Sequence, residues 1–161
     1  MALPHLAKKR AIELSVPYFE KDKRLHLLIC DCGFGAIDSL KRRFPGRCHH
    51  VGIMEQATVS IAAGMASEGL RPVIYAIAQF ITHRALEQLY LSLVCDGYPV
   101  KIIGVGCGDT FRALGRSHTV EDRDIALCRA IGLDFINTDN DEKRDIDVFY
   151  KTERPCYLRT R

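Results

Sequence analysis

Residues 51–85 read VGIMEQATVSIAAGMASEGLRPVIYAIAQFITHRA, and this stretch decides the fold. An apolar run and a glycine lead to Glu55, and from Gln56 to Glu68 the positions Val59, Ala62, Ala63 and Ala66 recur at helical spacing. The small side chains, with Gly64 inside the helix, leave room for another element to approach closely. Gly69 supplies the stop, and Pro72 to Ile77 reads as a strand with proline at its first position. Strand, helix and strand joined by connections this short form the repeating unit of a parallel sheet.

The same alternation runs outward in both directions. Before it come a helix whose basic segment is Lys8-Lys9-Arg10, a strand His26–Cys30 closed by Asp31 and Gly33, a polar helix Ile37–Phe44 ended by Pro45-Gly46, and a strand Cys48–Val51. After it come a helix Arg84–Val94 presenting Leu86, Leu89, Tyr90 and Leu93 on one face, and a strand Val100–Val105. A loop rich in glycine and polar groups then runs from Gly106 to about Thr119. A helix Glu121–Ile131, a strand Asp134–Asn137, a helix Asp141–Tyr150 and a strand Pro155–Arg159 close the chain. The expected fold is α/β, a three-layer sandwich with a mostly parallel sheet between helices, in a single domain over residues 1–161. Ligands of such sheets lie beyond the carboxyl ends of the strands. That edge collects Asp31 to Gly35, Gly52 to Gln56, Ile77 to His83 and Gly106 to His118.

With 161 residues, 47% of them hydrophobic, the chain can bury one core. Its 23 Lys and Arg nearly cancel 20 Asp and Glu and alternate with them, which argues against a nucleic-acid binder with a concentrated basic face. Seven cysteines, a start (Met1-Ala2-Leu3-Pro4-His5) with no apolar leader core, and no run approaching a membrane span together predict a reducing, cytoplasmic setting. Cys30, Cys32, Cys95 and Cys128 read as small core residues. Cys30 and Cys32 with His49 and His50 are the one metal-capable set, but their spacing matches no zinc framework and no metal site is expected in this chain.

Glu55 has two readings from local sequence. It is a helix-start acid that compensates unpaired N–H groups and the helix dipole, or a partly buried general acid whose apolar neighbours Ile53 and Met54 raise its pKa. Phe80, at the exit of the Pro72–Ile77 strand with Gln79, Thr82 and His83 beside it, either stacks on a planar heterocycle or caps the core. Gly104, Gly106 and Gly108 lack the rest of a dinucleotide fingerprint and read as a tight strand exit. His118, just ahead of a helix, is either a surface residue near a cap or a substrate or cofactor contact.

On these segments the chain resembles the pyrimidine-binding domain of transketolase and its thiamine-diphosphate-dependent relatives. The glutamate–glutamine pair before a small-residue helix, with Phe80 at the next strand exit, carries the resemblance, which extends more weakly from Asp31 through Ile131. The resemblance implies that Glu55 hydrogen-bonds the ring nitrogen of the cofactor's aminopyrimidine and so activates the cofactor. It further implies that Phe80 stacks on that ring, that Ile77 and His83 line its pocket, and that His118 contacts substrate near the reacting carbon.

The family has an acidic residue four positions before that histidine, where this chain has Leu114, flanked by Arg112 and Arg116. The change weakens a reading as ordinary sugar-phosphate transfer, and the two arginines are expected to meet an acidic substrate. The family's diphosphate-binding domain, with its Gly-Asp-Gly to Asn metal motif, does not occur in the sequence. The expectation is therefore a split enzyme in which a partner subunit holds magnesium and the diphosphate, with two copies of each subunit. Decarboxylation of, or acyl-type transfer from, a 2-oxo acid is the alternative chemistry, and a non-catalytic structural subunit is the non-enzyme alternative.

Overall fold

Six strands lie side by side in the order β2-β1-β3-β4-β6-β5, every neighbouring pair parallel. The structure, a computed structural model, describes residues 7–137 and 141–161, and the expectation about Met1 to His5 lies outside them. The strands are β1 Leu25–Ile29, β2 Cys48–His50, β3 Arg71–Ile77, β4 Lys101–Val105, β5 Asp134–Asn137 and β6 Cys156–Thr160. The main helices are α1 Lys8–Lys21, α2 Asp38–Arg43, α3 Glu55–Ser67, α4 Ala78–Arg84, α5 Leu86–Gln88, α6 Arg123–Ile131 and α7 Glu142–Lys151.

Side chains of a strand alternate between faces, so each central strand feeds two cores. Val73 and Tyr75 of β3 pack with Ile12 and Phe19 of α1, Leu40 of α2 and Phe149 of α7. Ile74 and Ala76 pack on the other face with Val59 and Ala62 of α3, Ile81 of α4 and Cys128 of α6. The fold is the three-layer α/β sandwich expected from the alternation.

Several local expectations need correction. Between β3 and the expected Arg84 helix stands a further helix, α4, which starts at Ala78, directly behind Ile77. The expected single helix Arg84–Val94 is interrupted at Ala85, and α5 runs on as a π-helical stretch, Leu89–Cys95. Ala85, Leu89 and Leu93 form its buried stripe, while Tyr90 and Cys95 turn outward instead of joining the core. The helix expected from Glu121 begins at Arg123, because Glu121 takes a left-handed conformation (φ 54°) to form an antiparallel bridge with Gly108. Gly64 faces open space, so the close approach that its size permits is not made within this chain. No helix among the described residues is long and apolar enough to cross a membrane.

At the amino edge of the sheet Lys101 is buried, and its Nζ donates to the carbonyls of Thr152 (2.7 Å) and Arg154 (2.6 Å), tying the end of α7 to the start of β6. Burial pulls its pKa from 10.5 down to about 8. The unfolded chain therefore binds the extra proton between those values. The stability linked to this site is present above about pH 10.5 and is lost as pH falls through about 8. Urea unfolding of Lys101→Met against the parent chain from pH 7 to 10.5 should show a component of roughly 2–3 kcal/mol that rises with pH in the parent and is missing in the variant. Parallel pH profiles would exclude it.

Candidate functional site

The chain leaves β2 at His50 and reaches α3 through a short turn in which Gly52 holds a left-handed φ of 78°. Glu55 is the first residue of α3, beside the helix's unpaired N–H groups, and its side chain is only 4% exposed. Ile53 and Met54 lie in the connecting turn, largely exposed at 67% and 43%, and border the recess beside Glu55 without offering its carboxylate a polar partner. The partner of this carboxylate comes instead from α4, where a guanidinium N–H of Arg84 donates to Oε2 at 3.3 Å.

Phe80 and Arg84 stand four residues apart on α4 and therefore share a face. The guanidinium carbon of Arg84 lies 3.8 Å from the centre of the Phe80 ring. The His118 ring meets Phe80 edge-on from the loop after β4, at 5.0 Å between centres and 65° between planes. Glu55, Arg84, Phe80 and His118 thus form a continuous line along the carboxyl edge. Glu55 and Arg84 border a recess of about 250 Å³.

A larger recess, about 730 Å³, opens on the other side of α4, lined by Gln79 and His83 and by Arg112, Arg116, Glu121 and Arg123 from the facing loop. Arg123 is paired with Glu121 at 2.8 Å and Arg112 more loosely with Asp109 at 3.7 Å, whereas Arg116 has no ion pair among the described residues. Burial, and then the nearby Arg123, hold the His83 imidazole below its usual pKa. Thr82 gives its hydroxyl proton to the Ala78 carbonyl (2.7 Å), so the 3.1 Å contact between Thr82 Oγ1 and His83 Nδ1 requires Nδ1–H as donor. This tautomer leaves Nε2 as an acceptor.

A second buried charge pair fixes the loop that carries these groups. Asp124 is fully buried and accepts from Arg159 Nε at 2.8 Å and from the Tyr157 hydroxyl at 2.9 Å. Arg159 also donates to the Glu121 carbonyl, Asp122 and Asn137. At the other end of the loop Gly106 (φ 74°) lets Phe111 pack directly on its backbone, where any Cβ would collide with the ring.

The structure brings together Glu55, Phe80 and His118, and separately His83, Arg112 and Arg116. Ile77 ends β3 and caps α4, half-buried. Leu114 projects outward, 60% exposed, from a short turn of helix, Arg112–Leu114. The metal-capable set is not assembled. Cys30 bonds to Thr58 (3.5 Å), Cys32 bonds to the Tyr75 carbonyl (3.7 Å), and His49 stacks on His26. Burial pushes both thiols up, to about 11 and about 12. No group of three His, Cys, Asp or Glu among the described residues is placed to hold a metal ion. Sequence reasoning missed Arg84, Arg123 and the Asp124–Arg159 pair. The four-residue spacing of Phe80 and Arg84 is the signal for the first of these, and it becomes readable only once residues 78–84 are taken as helix.

The sequence profile described as "Transketolase, pyrimidine binding domain" matches residues 18–143. The chain is 31% identical over 130 residues to the 6-deoxy-6-sulfo-D-fructose transketolase subunit SqwH of Clostridium sp., an alignment covering 79% of this chain and 39% of the relative. It is 42% identical over 83 residues to a 1-deoxy-D-xylulose-5-phosphate synthase of Polaromonas sp., covering 50% of this chain and 13% of that enzyme. The chain thus spans about two fifths or less of these relatives. Its fold matches that of a solved structure titled "Split gene transketolase, inactive beta4 tetramer", with a TM-score of 0.78 and 24% identity, covering 97% of this chain and 51% of that one.

Removing one member of a buried charge pair leaves the other uncompensated. Asp124→Ala should therefore cost about 3–5 kcal/mol of stability. It should also speed amide exchange across residues 106–122. Chemical unfolding and hydrogen exchange would measure both, and a loss below about 1 kcal/mol would be incompatible with this role.

Proposed function

Because the chain belongs to the transketolase pyrimidine-binding domain family, we propose that it is the pyrimidine-binding catalytic subunit of a thiamine-diphosphate-dependent, transketolase-like enzyme. The observation that carries the reading is Glu55, a buried carboxylate at the start of α3, on the same sheet edge as the half-buried Phe80 ring. A carboxylate next to an aromatic face suits a flat, nitrogen-bearing heterocycle such as the cofactor's aminopyrimidine. When bound, thiamine diphosphate supplies the carbon nucleophile that adds to a carbonyl and then holds the electron pair released by C–C cleavage.

In this reading Glu55 holds a proton against the ring nitrogen, Phe80 supports the ring, and Ile77 and His83 complete the wall of the site. His118, in edge contact with Phe80, takes up substrate next to the reacting carbon. Magnesium and the diphosphate are assigned to a partner subunit, with two copies of each chain in a reducing, cytoplasmic setting. Similarity to proteins named as a transketolase subunit and as a split-gene transketolase supports this division of labour.

The arginine-lined recess favours a substrate that carries a negative charge. Arg116, without an ion pair among the described residues, is the cation most available to it, and Arg112 is held only by a long contact. The same feature, with Leu114 in place of an acid, supports a second reading in which the donor is a 2-oxo acid and the outcome is decarboxylation or acyl-type transfer.

Glu55→Gln in the complex of both subunits should slow hydrogen–deuterium exchange at the cofactor's C2 position by roughly 100-fold or more, measured by NMR. Unchanged exchange would sink the assignment. The isolated chain with cofactor and magnesium should transfer no ketol group. Arg116→Ala should raise KM for the anionic substrate roughly tenfold or more, with a smaller change in kcat. Product analysis with ketose phosphates and 2-oxo acids separates the two chemistries.

A further inference from the structure

Arg84 occupies two contacts at once. Its N–H donates to Glu55, and its guanidinium carbon lies 3.8 Å from the centre of the Phe80 ring. On the reading of Glu55 and Phe80 given above, the aminopyrimidine ring needs the same two partners, the carboxylate at one of its nitrogens and the aromatic ring against its face. A guanidinium resembles that ring in shape: both are planar, both bring an in-plane nitrogen to the Glu55 carboxyl group, and both stack on an arene. The guanidinium does so by donating N–H to the carboxylate, the ring by accepting the proton that Glu55 holds. The two groups cannot hold these positions together.

We infer that Arg84 is a built-in stand-in for the aminopyrimidine, closing the Glu55–Phe80 cradle until the cofactor displaces it. The contact is built to be released. Arg84 is 48% exposed and bonds to Glu55 through one long contact of 3.3 Å. Arg159, only 4% exposed, is by contrast held by four hydrogen bonds. Arg84 ends α4, so its side chain can swing toward solvent without moving the buried residues Ala78, Ile81 and Thr82 that seat the helix. The arrangement also spares the cell a bare buried carboxylate in any chain that has not been loaded. Loading must then break this pair, and the cofactor's apparent affinity carries that cost.

The test titrates thiamine diphosphate with magnesium, by calorimetry, into the complex of the full chain with its diphosphate-binding subunit. Arg84→Ala should bind the cofactor roughly three- to tenfold more tightly than the parent, because a half-exposed ion pair and a cation–π contact no longer compete. Arg84→Lys, which keeps the charge but stacks poorly, should fall between them, and it serves if the alanine variant does not fold. In arginine-selective NMR spectra of the isolated chain, the Arg84 side chain should be shifted upfield by the Phe80 ring. It should return to an ordinary position in the loaded complex. Equal or weaker cofactor binding by Arg84→Ala, or an upfield shift that persists after loading, overturns the inference. Glu55→Gln separates the two levels. If it retains C2 exchange, the reading of the site fails and the role of Arg84 fails with it. If it loses exchange while Arg84→Ala binds no more tightly, only the role of Arg84 fails.

Discussion

A carboxylate withdrawn from water must be compensated, and the site is organised by how Glu55 meets that requirement. Its place at the head of α3 puts it at the positive end of the helix dipole, and α4 supplies the opposite charge and the hydrogen bond. For α4 to do so it must start immediately behind β3, because only then does its last residue, Arg84, meet the head of α3. The missing loop between Ile77 and Ala78 is therefore a condition of the site.

The chain solves the same electrostatic problem twice, in opposite ways. Asp124 and Arg159 lie in the interior and are locked by a network that includes Tyr157, Asp122 and the Glu121 carbonyl. This pair staples α6 to β6 and holds the far end of the loop after β4. Glu55 and Arg84 are joined by one contact with one partner half in solvent. A multiply bonded pair of this kind fixes geometry, whereas a singly bonded one at the rim can be exchanged for another partner at modest cost.

The sheet, its layers and the edge that carries the site were legible because periodicity reports burial, and burial dictates the alternation of strand and helix. Glu55 and Phe80 stood out for the same reason, as residues that packing alone does not explain. The environment of Glu55 was not legible. Sequence neighbours Ile53 and Met54 show only an apolar surrounding, whereas the charge that meets the carboxylate lies 29 positions away on another helix. The π-helical stretch after α5 was equally hidden, since Leu86, Leu89, Tyr90 and Leu93 fit ordinary helical spacing, and only the observed winding sends Tyr90 outward. The Asp124–Arg159 pair spans 35 positions and has no local signature.

One short helix ends up serving both recesses, and its spacing explains how. Along α4, Ala78, Ile81 and Thr82 face the core together with Ala85 just beyond its end, Phe80 and Arg84 face Glu55, and Gln79 and His83 face the arginine-lined recess. Three strips at four-residue spacing need only two turns. The buried strip anchors the helix against β3, so the other two hold a fixed relation to each other. His118 reaches Phe80 from the same loop that carries Arg112 and Arg116, and the Asp124–Arg159 staple holds that loop. A group held between Glu55 and Phe80 and a charge held by the arginines would thus be set apart by the width of a single helix whose position the core determines.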